Sequence, residues 1–259
     1  MRNAIKIASL AAAALLATTS ASAQVVTFAQ FFSNATGTNF RWVRSAGTNT
    51  AAGRTVNFYT TTTQNATSAG ATAVTFGFKD LGPFSSTVGS VNAAFLMTGT
   101  VTDTAATSDG TTVSQTNITG SFSFIANTPI SYGPILNGTN LLSGTFSSTT
   151  FSGTIGGSTG NLGGSSNGGA TINFTSDFLT FDPSANLDFN LGMTSINPLL
   201  AFLAGRAVGS YRSVVTGQFS ADPPPTAPTI PEPGTWAMMI TGMGLVGFAR
   251  RRRRTAVAA

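Results

Sequence analysis

Three carboxylates, Asp177, Asp182 and Asp188, form the one cluster of acids in this 259-residue chain. Oxygen ligands of this kind could hold a calcium ion, or two of the acids could share acid–base work on a polymer. Their spacing fits no EF-hand or repeat-type calcium loop, and Asp182-Pro183 has the form of a turn. The plain reading is turn and strand-edge aspartates, so neither a metal ligand nor a catalytic residue is assigned. Cys and His are absent from the whole chain. That removes thiol and imidazole nucleophiles, Ser-His-Asp triads, haem ligation and ordinary zinc sites, and no cofactor is implied.

The second stretch with chemistry is Pro231-Glu232-Pro233. Proline on both sides prevents helix continuation and holds Glu232 extended, within reach of an enzyme that must find a peptide bond. Residues 235–249 follow without a formal charge, and then come Arg250, Arg251, Arg252, Arg253 and Arg254. Fifteen residues span about 22 Å as helix, shorter than a comfortable crossing. Tilt, thinning and snorkelling by Arg250 supply part of the remainder. Trp236 suits the headgroup layer, and the arginines act as a membrane stop that stays cytoplasmic. Gly242-Met243-Gly244-Leu245-Val246-Gly247 matches a dinucleotide fingerprint only in its letters. No acidic residue follows it, so that reading is rejected.

The amino end carries the other handling signal. Arg2 and Lys6 precede an apolar run over 7–17, and Ala21-Ser22-Ala23 offers a small-residue cleavage site that leaves Gln24 as the new N-terminus. Residues 1–23 are therefore a signal peptide for the secretion machinery. With both ends set aside, six basic residues face seven aspartates, a net of −1. The high pI belongs to the sorting signals, and the body has no electrostatic footprint for nucleic acid.

Taken together, Pro231-Glu232-Pro233-x-x-Trp236-Ala237, the glycine-bearing span and the arginine cluster resemble a PEP-CTERM sorting signal in its PEPxxWA form. The resemblance covers 231–254. It implies export, an inner-membrane intermediate in a Gram-negative bacterium, processing by an exosortase-type enzyme, and delivery to the cell surface or exterior. Organisms with such tails often make extracellular polysaccharide, the candidate ligand. The segment 122–219 is similar to bodies that often precede this tail, with no activity implied.

The elements between the signals read as all-β. Phe76 and Phe78, Phe122 and Phe124, and Leu187, Phe189 and Leu191 alternate with polar residues, which places Phe on one strand face and Ser or Thr on the other. The alternation predicts strands over 25–31, 55–62, 73–78, 91–101, 112–125, 141–146, 170–174, 178–181, 187–193 and 210–219. Asp109-Gly110, Asn137-Gly138 and Ser152-Gly153 are the expected turns. A helix is predicted over 196–204, and 153–169 reads as a flexible glycine-rich loop or the tip of a twisted hairpin. The expected organisation is a β-rich secreted body over 24–221, an antiparallel β-sandwich or barrel. A Pro-rich spacer over 222–230 and a single C-terminal transmembrane helix follow.

The expected function is that of a non-enzymatic surface or extracellular-matrix protein with a structural or carbohydrate-interacting role. Trp42, Tyr59 and Tyr132 are candidate sugar platforms. The alternative is a secreted hydrolase of extracellular polymer using the aspartate cluster. Thr60 to Thr63 raise the weaker idea of ice binding, and Asn34, Asn65, Asn117, Asn137 and Asn173 begin Asn-x-Thr triplets.

Overall fold

The computed structural model describes residues 25–45, 54–229 and 238–243. Twelve strands belong to one antiparallel sheet. Their order along the chain is β1 (Val26–Ser33), β2 (Phe40–Arg44), β3 (Val56–Thr60), β4 (Thr72–Phe78), β5 (Ser90–Val101) and β6 (Thr107–Ser108). β7 (Thr112–Tyr132), β8 (Ile135–Thr154), β9 (Gly160–Ser165), β10 (Thr171–Thr175), β11 (Asn186–Asn197) and β12 (Tyr211–Asp222) follow. Among the described residues of the body, the one α-helix, α1, spans Pro83–Val88, and a 3-10 turn covers Ser166–Gly168.

Several of these strands are halves of one wall strand. β1 and β2 both pair with β12, β3 and β4 both pair with β5, and β9 and β10 both pair with β8. β5 and β6 likewise share an edge of β7. The wall therefore has eight positions, each pairing with the next in chain order, and β12 closes the ring on β1. This is an up-and-down barrel, one of the two all-β architectures that the alternation allows.

Eight strands leave an interior just wide enough for side chains to fill. Here phenylalanine fills it. The Phe95 and Phe124 rings stack with centroids 4.4 Å apart, and Phe31, Phe122 and Phe219 pack around them. Outward positions on β7 are Ser114, Thr119, Ser121 and Ser123, between buried Val113, Ile118, Phe122 and Phe124. Polar outside and apolar inside is the inverse of a lipid-embedded barrel.

Each end of the barrel has its own closure. At the end where β4 stops, Phe84 of α1 wedges against Phe78 and Tyr132, at centroid separations of 4.9 and 5.0 Å. At the other end, residues 198–210 form an irregular plug with Ala207 and Val208 fully buried. The Trp42 indole N–H donates to the Val208 carbonyl, and Gln115 accepts from the Val208 N–H. Arg44 and Arg54 donate to the carbonyls of Ala207 and Gly205. Burial and the neighbouring Arg206 lower the Arg44 pKa from its usual value.

That plug corrects the helix expected over 196–204. Ile196 and Asn197 complete β11, and the Leu200 carbonyl and N–H bond to Gly156 and Gly157 instead of to a helical turn. Residues 153–169 also differ from a flexible loop, because β9 lies within them, paired on both edges. Its glycines serve close approach. A Cβ at Gly160 would stand 2.7 Å from the Phe151 ring, and one at Gly164 would stand 2.6 Å from Thr149.

Asp109-Gly110 turns as expected, but Asn137-Gly138 and Ser152-Gly153 lie inside β8. The β7–β8 hairpin turns four residues earlier, at Gly133-Pro134 between Tyr132 and Ile135. Residues 178–181 make only one bridge, Thr180 to Thr226. Because of that bridge the first part of the proline-rich segment is no free spacer. Pro225 is buried and Ala227 packs against the core. Among the described residues no helix is long and apolar enough to cross a membrane; of the expected span, only 238–243 are described, and these are helical.

Candidate functional site

The predicted sorting residues Pro231, Glu232, Pro233, Trp236 and Ala237 lie outside the described residues, as do the five arginines and the cleavage-site residues Ala21, Ala23 and Gln24. On the helical piece between them, Met238, Met239, Ile240 and Met243 are all exposed.

The barrel separates the work of the three aspartates. Asp177 accepts hydrogen bonds from the N–H groups of Thr139 and Asn140, both at 2.8 Å, and so latches the crossing segment to the start of β8. Asp182 accepts from the hydroxyl and N–H of Ser184, which hold its pKa below the usual carboxylate value. Asp188 sits on β11 opposite Ser220 and Ser165, with one carboxylate oxygen buried and unpartnered. Among the described residues no group of three acids could hold a metal ion.

Two of the expected sugar platforms are inside. Trp42 is fully buried, stacked on Phe58 and Tyr211 at 5.4 and 5.8 Å. Tyr132 is buried against Phe84. Tyr59 remains half-buried, its hydroxyl donating to the Thr67 carbonyl. The threonine run divides too. Thr60 and Thr61 are buried while Thr62 and Thr63 are exposed in a loop, so no flat array forms.

The outer wall brings together residues that the alternation does not single out. Gln30 of β1, Gln218 of β12 and Asn190 of β11 stand in register across three strands. The exposed Phe32 lies beside them, and Gly192, which puts no side chain on this outer face, leaves a shallow hollow of about 250 Å³.

A second feature is a cleft in the wall itself. The loop between β1 and β2 and the loop between β3 and β4 interrupt neighbouring wall strands, and between them lies a space of about 310 Å³. Asn39 forms its floor. The side-chain amide of Asn39 donates to Ser33 and Thr72 and accepts from the Val215 N–H. Arg41 donates to the Ala66 carbonyl, and Arg212 donates to the Gln64 carbonyl and to Asn65, which pins the second loop. Sequence reading passes over Asn39, Arg41 and Arg212. The one available signal is that they are polar residues flanking the Phe40-Trp42 alternation and Tyr211, and that signal is weak.

Comparison with known proteins adds one match. The model of the PEP-CTERM protein-sorting motif matches residues 229–254. No curated protein and no solved structure matches the chain. The match falls on the Pro-Glu-Pro motif, the apolar stretch and the arginines. The chain thus carries a PEP-CTERM protein-sorting motif, the mark of an exported protein that is processed at the membrane by an exosortase-type enzyme on its way to the cell surface.

Proposed function

We propose that this chain is a non-enzymatic barrel of the cell surface or extracellular matrix, with a structural or carbohydrate-contacting role. The observation that carries the reading is the sorting motif at 229–254, attached to a body whose outer wall is Ser, Thr, Asn and Gln. A neutral polar wall is compatible with hydrated polysaccharide, and Phe32 among Gln30, Gln218 and Asn190 offers a ring face beside amides. Exposed Met238, Ile240 and Met243 would find their solvent in lipid during the anchored stage.

The alternative, a hydrolase of extracellular polymer, needs the aspartates to converge on a substrate. Asp177 and Asp182 are committed to backbone groups instead, which favours the first reading.

Fractionation of producing cells, with and without the exosortase-type enzyme, tests the proposal. The protein is expected at the surface or in the matrix fraction when the enzyme is present, and as a membrane-bound precursor when it is absent. Full-length protein soluble in the cytosol would refute it, and polymer cleavage by the purified protein would favour the alternative.

A further inference from the structure

The body is nearly neutral as a whole, but the fold sorts its charges to opposite ends. At the end filled by the plug stand Arg41, Arg44, Arg54, Arg206 and Arg212, against Asp103 and Asp109, a net of +3. At the end closed by α1, Lys79 stands against Asp80, Asp177, Asp182, Asp188 and Asp222, a net of −4. Residues 46–53, between β2 and β3, contain no charged residue and leave this balance unaltered. The arginines also crowd one another. Arg41 of β2 stands directly opposite Arg212 of β12, a position where like charges repel. Arg44 and Arg54 donate to the carbonyls of Ala207 and Gly205, which gathers them about Arg206. Burial first, and the Arg206 charge second, lower the Arg44 pKa. Among the described residues the single ion pair is Arg54 with Asp103, at 3.7 Å.

We propose that the plug end of the barrel docks an acidic glycan, a polysaccharide whose repeating units carry carboxylates. Guanidinium forks take a carboxylate through paired N–H groups. The donors are free and reachable. Arg41 and Arg212 each give Nη1 to the loop at 64–66, which leaves Nε and Nη2 of both. The Arg206 side chain makes no hydrogen bond among the described residues, and none of these unused nitrogens is sealed from solvent. The Arg54 side chain is 36% exposed. Beside Arg41 and Arg212 lies a hollow of about 220 Å³, lined also by Asn197 and Ser210, where one charged unit can sit. Ser210 accepts from the Arg44 N–H and so joins this hollow to the arginines at the plug.

The spread of the charges selects a polymer. Arg41 and Arg44 are three residues apart on β2, about 10 Å along an extended strand, more than one small anion can answer. A chain that repeats its own charge meets both groups. A metal cation is repelled here, and a neutral glycan gains nothing from five arginines. Nucleic acid wants exposed aromatic platforms for its bases, whereas Trp42 and Tyr211 at this end are buried. The sorting motif leaves the barrel from the acidic rim, so an anchored chain turns its basic end outward, where the field steers a polyanion to it. The proposal deepens the carbohydrate-contacting reading and rests on it.

The test measures binding of oligogalacturonate, with the matching neutral galactose oligosaccharide as control, to the full-length chain in uncharged detergent micelles. The tail arginines would themselves attract a polyanion. Every protein compared therefore carries Arg250→Gln, Arg251→Gln, Arg252→Gln, Arg253→Gln and Arg254→Gln. Oligogalacturonate is expected to bind more tightly than its neutral counterpart and to weaken as salt is added. Arg206→Gln should lower its affinity about two- to fivefold, the loss of one exposed ionic contact. The melting temperature of that variant should hold or rise, since the side chain has no hydrogen bond to lose and Arg44 loses a repelling neighbour. Arg212→Gln reads the same surface should Arg206→Gln fold poorly. Lys79→Gln, at the acidic end, should leave the affinity unchanged. The proposal is overturned by equal binding of the charged and neutral oligosaccharides, by unchanged uronate affinity in both arginine variants, or by an equal loss in Lys79→Gln. Salt-sensitive association of the protein with itself, without any glycan, would give the basic end to the acidic rim of a second copy and overturn it as well. A cell-surface location together with any of those results leaves the sorting reading intact, and binding of the neutral oligosaccharide alone leaves the carbohydrate reading without the basic end.

Discussion

Val26 at the start of β1 pairs with Ala221 near the end of β12. The points where the N-terminal segment and the sorting motif join the barrel are therefore neighbours on one rim, the rim closed by α1. In a membrane-anchored precursor this rim should face the bilayer and the plug at 198–210 should face away. The chain has no native cysteine, so single Leu136→Cys and Leu203→Cys variants can carry a fluorophore at opposite ends. Lipid-borne quenchers should dim the Leu136 label more; equal quenching would discard the orientation.

The interior leaves no slack where two glycines meet. Gly99 pairs with Gly120, and a Cβ at Gly99 would stand 2.1 Å from the Phe58 ring. Gly99→Ala should cost about 1–3 kcal/mol through overpacking. Phe124→Ala removes a ring stacked on Phe95 and should cost about 3–5 kcal/mol. Denaturant unfolding measures both, and a Gly99→Ala midpoint at or above wild type would mean that the wall yields.

Without histidine or cysteine, stability should be nearly flat between about pH 5 and pH 9, since side chains that titrate there are missing. On the acid side, Thr112 and Thr111 N–H groups and the Thr111 hydroxyl lower the Asp109 pKa, and Ser184 lowers that of Asp182. A depressed folded pKa means that the unfolded chain binds more protons. Stability from these two groups is therefore present above about pH 4 and lost as pH falls through their lowered values.

On the alkaline side burial raises the Tyr211 pKa well above its usual value. Its contribution is full below about pH 10 and falls as pH rises beyond that, because only the unfolded phenol ionises readily. Tyr211→Phe should flatten the alkaline limb of a melting-temperature profile, and an unchanged limb would remove Tyr211 as its source.

Asp177 is a latch. Asp177→Asn should lose about 1–2 kcal/mol, since two backbone donors lose their ionic acceptor at a solvent-exposed site. Calcium should leave the wild-type melting temperature unchanged. A calcium-dependent rise abolished by Asp177→Asn would instead make it a metal ligand.

Glu232 lies between two prolines within the matched motif. Glu232→Ala should leave export intact and slow trimming of the tail, seen as an accumulated longer form on a mass-calibrated gel. Normal trimming of that variant would take Glu232 out of the recognition role.

The sorting motif, the near-neutral body and the inward phenylalanines can be read from the sequence, because charge order, apolar run length and period-2 alternation are local properties of a chain. Even the missed β2 carries the pattern in Phe40 and Trp42. Closure could not be read. It depends on Val26 meeting Ala221 across nearly the whole body, and alternation is the same in a sandwich and in a barrel. The fate of each polar residue depended on closure in turn. Thr61 and Thr62 are identical neighbours, yet the Thr61 hydroxyl is buried without a partner and Thr62 is exposed, because Thr61 still pairs through its N–H with Asn39 beside β2 while Thr62 has passed into the loop. Trp42 reads as a sugar platform until the plug covers it. Composition sets which groups exist, but the tertiary fold sets which of them still lack a partner once every strand has found its neighbours.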